Sequence, residues 1–453
     1  MSILQEKQEK KAFYKLVFSL VFPMALQNLI NVGVTSTDVI LLGKVGETSL
    51  SAASLAGQVQ FIMTLIFFGL TSGAAVLTAQ YWGKKDTVTI EKIMAITMRF
   101  ALVVGVLFTL AVLLFPEHIM RIFTSEQNVI DQGVRYLKII AFSYIFIAFT
   151  MIYLNIMRSV ERVVVSTVVY MISFVINLVL NLIFIFGLFG LEPMGIRGAA
   201  LGTLIARACE VLMVTFYALK VNKTIHFHLK ALFIRDKILS RDFLHYSVPV
   251  MLNELLWGAG VAANAAIIGH LGQSVVAANS VTQVVRQLAT VITFGVSNAT
   301  AIILGKAIGE GKEELAKLYA KRLVRITIFL GLFGSVVILF VGNVAGHYMN
   351  LSGEAHSYLK FMMFVMSYFV IAQAFNTTMI VGVFRAGGDT RFGLILDAST
   401  LWGVAILFGA LAAFVLKLPI PIVYVIIMSD EIIKVPLSAW RYRSMKWVRN
   451  VTR

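Results

Sequence analysis

Of the chain's 453 residues, 59% are hydrophobic and only 14% charged, with a mean hydropathy of +0.86; a soluble protein of this length carries about a quarter charged residues. A soluble fold is thereby excluded, and lipid, which offers backbone groups no partners, narrows the choice to helices or a closed barrel. The formal net charge of +16 would suit a nucleic-acid binder, but the bases recur in every second connection between apolar stretches and so mark topology instead.

In chain order, apolar stretches fall at roughly 15–41, 52–80, 94–115, 132–156, 163–187, 195–219, 243–268, 276–303, 323–343, 358–381, 393–416 and 419–440. That makes about twelve, each near the ~20 helical residues that cross a hydrocarbon core. The alternating pattern of barrel strands is absent. The expected fold class is an all-α polytopic membrane protein. "EKQEKKAFYK" leads into the first stretch with no small-residue cleavage site, so that stretch reads as an uncleaved helix. Residues 220–242 are basic and partly amphipathic, and read as a cytoplasmic surface helix and linker between an N-terminal half, 1–219, and a C-terminal half, 243–453.

The two terminal segments and the even-numbered connections hold 28 of the 39 bases, among them Lys7, Lys10, Lys84, Lys230, Arg235, Arg385, Arg391, Arg441 and Arg449. Odd-numbered connections hold only Lys44, Arg121, Arg197 and Lys417. The positive-inside rule then places both termini in the cytoplasm. Cys209 stands alone, which excludes an intrachain disulfide.

The halves are copies. Shifted by 226 residues, "VFPMALQNLINVGVTSTDVILLGKVGETSLSAAS" falls over "SVPVMLNELLWGAGVAANAAIIGHLGQSVVAANS". Pro23 meets Pro249, Gly43 meets Gly269, Gly46 meets Gly272, and the register runs on without a gap to Gly69 over Gly295 and Gly83 over Gly309. Six spans separate the copies, so both cross the membrane in the same direction. Parallel repeats of this kind are a common plan for secondary transporters, with the substrate site between the halves.

Few acids lie at membrane depth. Asp38 falls in the first span, Glu254 in the seventh, Asp397 in the eleventh, and Asp430 and Glu431 in the last. Each costs about 2.5–3.5 kcal/mol on insertion scales, which makes it a candidate for function by default. Glu254 follows Pro249 by five residues, within reach of the backbone groups that a proline leaves unpaired. A carboxylate there can exchange a proton for a cation. Its repeat equivalent is Asn28, and that of Asp38 is Asn264. Asn253 neighbours Glu254. The expected main switch is therefore Glu254, with coupling starting in the second half. Asp430 and Lys434, at i and i+4, read as a neutralised pair, which leaves Glu431 unpaired and a weaker candidate. Arg286 is the expected ion-pair partner should Asp397 be structural.

"PMGIRGAALGTLIAR" in span six, "FRAGGDTRFGLILDASTLW" around span eleven, the turns "LLGKVGE" and "IIGHLGQ", and "NLVLNLIFIFG" in span five resemble the multidrug and toxic compound extrusion (MATE) family, in its NorM-like bacterial branch. The resemblance runs over essentially the whole chain. It implies two pseudo-symmetric six-helix lobes forming a V-shaped central cavity, and antiport of amphipathic cationic drugs or metabolites against Na+ or H+. It also implies that Glu254 and Asp397 bind cation or proton, with a Na+ at that pair, and that Asn177 and Asn181 accompany Asp38. Two departures stand out. Gly393 occupies a place where NorM-like relatives often have a tyrosine, and Asn181 one where archaeal-type relatives have an aspartate.

No GxxxxGK[ST] loop is present, so ATP does not drive transport within this chain. No enzyme constellation and no Cys/His cluster stands out, and no cofactor beyond the coupling ion is expected. The expected partners are organic cations and the lipid bilayer, with no nucleic acid, for a monomer in the bacterial plasma membrane. A lipid-linked oligosaccharide flippase of the same superfamily is the alternative; it would need a basic cavity, whereas acids outnumber unpaired bases in the spans. A cation channel would conduct without exchange.

Overall fold

The computed structural model describes residues 3–226, 232–233, 236–348 and 352–453. Among these the chain is helical, without a strand. Ten helices are long and apolar enough to cross a membrane, and a pair bent by 52° makes an eleventh. In chain order the described helices begin with α1 (Ile3–Val45), α2 (Glu47–Gly83), α3 (Thr87–Leu114), the short α4 (Pro116–Phe123), which does not span, the bent pair α5 (Gln127–Ile140) and α6 (Ser143–Ser159), α7 (Val163–Phe186) and α8 (Ile196–Phe216). After them come α9 (Lys237–Gly269), α10 (Gln273–Gly309), α11 (Glu313–Tyr348), α12 (Gly353–Thr377), α13 (Thr390–Asp397), α14 (Leu407–Ala410), α15 (Ile420–Ile427) and α16 (Asp430–Arg443). The last expected span, 419–440, is thus two helices broken at Met428 and Ser429. Neither is long enough to span alone, and α16 opens on Asp430 and Glu431.

Among the described residues four stretches are π-helical, Tyr217–Val221 and Leu411–Val415 among them, and the other two adjoin charged residues, Arg385 and Asp397. Helix α12 runs on as π-helix over Thr378–Phe384, and α13 does so over Ala398–Ile406. Such wide turns are rare and gather at functional sites.

The chain divides into two compact units. One comprises Leu26–Thr78 and Lys85–Ser247, and the other Met1–Ala25, Ala79–Lys84 and Val248–Arg453. In α1 and α9 the change of unit falls within two residues of the repeat-matched prolines, Pro23 and Pro249. Proline removes one hydrogen bond from the helix ladder, so each long helix is weakest there.

In the first of these units α7 packs along α8, and α3 along α6. Part of the expected linker can be followed here. Asn222 and Tyr217 accept from Arg162 at 3.1 and 3.2 Å, the His226 backbone N–H donates to Glu91, and Asp236 pairs with Lys92 at 3.6 Å. Lys237 to Asp242, expected in the linker, already belong to α9. Lys230 and Arg235 lie outside the described residues.

The other unit packs α10, α11 and α12 together around a core that includes Val285, Met366, Val370, Tyr424 and Ile427. It also shows why the repeat keeps its glycines. A Cβ on Gly83 would overlap the Lys306 carbonyl, and one on Gly309 the Gln80 carbonyl. Gln80 and Lys306 are themselves repeat equivalents, so the contact reads the same from either copy, as a two-fold contact must. The turn glycines Gly46 and Gly272 both take positive φ, 147° and 120°, a backbone that favours glycine. The chain's tail closes over this contact: Gln80 donates to the carbonyls of Ala386 and Arg449 at 2.8 and 3.0 Å and accepts from the Val451 N–H at 2.8 Å. Trp447 is fully buried.

Candidate functional site

The expected site residues gather in two buried polar clusters, one in each unit. The first lies among α1, α7 and α8. Asn177 and Asn181, one turn apart on α7, share a face. Asn181 Nδ2 donates to Asp38 Oδ1 at 2.8 Å and lies 3.2 Å from Asn177 Oδ1, while Asn177 donates to Thr203 at 3.1 Å. Gly202 on α8 leaves the room that Asn181 Oδ1 occupies; a Cβ there would overlap it. That oxygen is buried and has no hydrogen-bond partner among the described residues. Asp38, half-buried, takes part in no ion pair among the described residues. Arg207, half-buried on α8, is engaged instead by Glu210 through both carboxylate oxygens, at 2.8 and 3.0 Å. Sequence reasoning passed over Glu210, although its spacing of three from Arg207 on one helix is a pairing signal.

The second cluster joins α9, the π stretches at 378–384 and 398–406, and α16. Glu254 Oε1 accepts from Arg385 at 2.8 Å. Arg385, counted from sequence among the loop bases, directly follows the π stretch at 378–384, and its side chain is only 4% exposed. Asp397, at the α-to-π junction, accepts from Asn253 at 2.9 Å and pairs with Lys434 at 2.9 Å. Lys434 also meets Asp430 at 3.2 Å and Glu431 at 3.0 Å. Glu431 accepts in addition from Asn376 at 2.8 Å.

Three expectations are corrected here. The partner of Asp397 is Lys434 rather than Arg286, whose guanidinium donates to Gln283 and Gln373 at 2.8 and 3.4 Å. Glu431 is paired, because i, i+3 on α16 brings it to Lys434 as surely as i, i+4 brings Asp430. The Na+ implied for Glu254 and Asp397 does not fit the groups present, since one oxygen of each is already held by a positive charge, Arg385 on Glu254 and Lys434 on Asp397. Asn264 is not brought to either cluster; its buried Oδ1 has no partner among the described residues.

A polytopic all-α chain built from two parallel copies, each with carboxylates and amides buried at span depth, has the construction of a membrane transporter. It belongs to the MatE family, which matches residues 23–183 and again 249–411. The two matched segments begin at the repeat-paired prolines. The chain is 22% identical over 415 residues to the probable multidrug resistance protein YoeA of Bacillus subtilis, covering 89% of this chain and 88% of that protein. It is 25% identical to a probable multidrug resistance protein NorM of Rhizobium meliloti, with 84% and 83% covered. Among solved structures, a MOP superfamily transporter from Pyrococcus furiosus superposes with a TM-score of 0.85 at 19% identity, covering 95% of each chain. An outward-facing multidrug resistance MATE family transporter superposes at 0.84 and 20% identity, covering 95% and 96%. At these identities the structures show the fold alone.

Proposed function

We propose that this protein is an ion-coupled antiporter that exports amphipathic cationic drugs or metabolites by alternating access across a bacterial plasma membrane, with both termini in the cytoplasm. The observation that carries the reading is Asp38: an intramembrane carboxylate held by the Asn181 amide and in no ion pair among the described residues. Such a group takes up a proton or a cation and gives it back. In the second cluster every acid already contacts a base, Glu254 meeting Arg385 and the other three sharing Lys434, so we take Asp38, which is in no ion pair, rather than Glu254, as the group with which loading starts. The names of the curated relatives, probable multidrug resistance proteins, agree with drug export. The bias of bases toward one set of connections supports the orientation.

The test is uptake of a fluorescent cation by proteoliposomes under separate Na+ and proton gradients, with Asp38→Asn beside wild type. Exchange driven by one gradient and lost in Asp38→Asn is the expected result. Conduction without exchange would turn the reading to a channel. Translocation of an anionic lipid-linked substrate with no gradient-driven cation exchange would turn it to a flippase.

A further inference from the structure

Lys434 completes its own coordination. An ammonium has three N–H donors and no acceptor, and three carboxylates meet it: Asp397 at 2.9 Å, Glu431 at 3.0 Å and Asp430 at 3.2 Å. Two of them come from the same helix, one turn back, and the third from the end of α13, so no one segment makes the cage. The lysine side chain is 4% exposed, and its three acids are 10–16% exposed. Converging carboxylates of this number are what a protein offers a hard cation, yet here the cation is covalently part of the chain. The second oxygen of Asp397 is taken by Asn253, and Glu254, the other carboxylate of the cluster, by Arg385.

We infer that the Lys434 ammonium is a tethered stand-in for Na+, so that the carboxylate cluster of α9, α13 and α16 binds no Na+ while that lysine is in place. A Na+ approaching Asp397 meets a fixed positive charge already at hydrogen-bond distance, and to displace it must strip a buried ammonium of one of its three carboxylate partners. Na+ would return only if the ammonium were removed, because the three acids would then stand together without a counter-charge. The consequence for transport, that a Na+ gradient does not act through this cluster, rests on the ion-coupled reading above. The binding property does not.

The experiment is therefore a binding measurement. The full chain is purified into lipid nanodiscs, and saturable binding of radioactive Na+ is counted with no drug and no gradient present. Wild type is expected to show none that Asp397→Asn removes, and Lys434→Ala to gain about one Na+ per chain over wild type, lost again when Asp397→Asn is added. Lys434→Gln, which keeps N–H donors but no charge, serves where Lys434→Ala does not fold, and a gain there supports the inference equally. Saturable Na+ binding by wild type that Asp397→Asn removes would overturn it, and that arm needs no lysine variant. Folded Lys434 variants that bind no more Na+ than wild type would overturn it too. Absence of drug export leaves these counts unaltered, so failure of the transport reading and failure of this inference are told apart.

Discussion

Asp38 and Asp397 begin alike. Both sit on apolar helices, and each accepts a hydrogen bond from an asparagine, at 2.8 and 2.9 Å. Asp397 then meets a lysine that two further acids share, while Asp38 makes no ion pair among the described residues, Arg207 being engaged by Glu210. One cluster has its cation built in; the other has a carboxylate with capacity to spare. Repeats that keep the same prolines and turn glycines have thus been free to diverge in charge: Asn28 stands opposite Glu254, and Asp38 opposite Asn264. The backbone duplication sets where polar groups can be buried, and the side chains decide which of them stay loadable.

The sharpest way to break this comparison is to take the base away from the satisfied cluster. Arg385→Met leaves Glu254 buried without the guanidinium that now meets it, and losing one member of a buried pair costs about 3–5 kcal/mol. Thermal unfolding in nanodiscs should show that loss, with Arg385→Met plus Glu254→Gln recovering most of it. A single variant as stable as wild type would mean the pair is not the neutralising contact described.

Next in size is the loadable acid itself. Asp38→Asn should lower gradient-driven export roughly a hundredfold, about 2.7 kcal/mol, with protein yield and unfolding temperature close to wild type, since no ion pair is broken. Glu254→Gln, which leaves Arg385 facing an amide, should cost stability as well as rate. If Glu254→Gln alone abolished export while Asp38→Asn did not, the two clusters would have to exchange roles.

Much of this architecture is legible in the amino-acid sequence. The apolar stretches, the 226-residue repeat and its proline and glycine anchors all survive into the helices, and Asp38, Asn177 and Asn181 do lie together. Helical spacing shows the Asp430–Lys434 pair directly, and i, i+3 spacing points in the same way to Glu431 and Glu210. What the linear pattern hides is convergence between distant segments. Arg385 reads as a loop base because glycines follow close behind it, yet the π turns before it bury it against Glu254. Asp397 and Lys434 lie far apart in sequence, and only packing brings them to 2.9 Å. The broken final span is hidden for a related reason: its apolar residues and its charges average into one stretch, although the charges open a separate helix.

The finest test uses the two asparagines, whose hydrogen bonds are nearly equal in length. Hydrogen bonds to charged groups contribute about 1.5–3 kcal/mol, and neutral ones about 1. For Asp38 the Asn181 amide is the one side-chain donor described, so Asn181→Ala should come near the lower end of the charged range, about 1.5 kcal/mol. Its effect should fall on the ion dependence of export, because the group it leaves is the one that loads. Asn253→Ala removes a donor from an acid that Lys434 still holds, so the loss should be smaller, about 0.5–1 kcal/mol, and read in unfolding. Asn181→Asp sharpens the contrast further: a second carboxylate beside Asp38, where Arg207 is already engaged by Glu210, should alter which ion drives export. The same added charge at Asn253, one hydrogen bond from the acid that Lys434 holds, has an ammonium close by. Equal effects from the two alanine variants would mean that the hydrogen bond, and not the presence of a built-in cation, sets how each aspartate behaves.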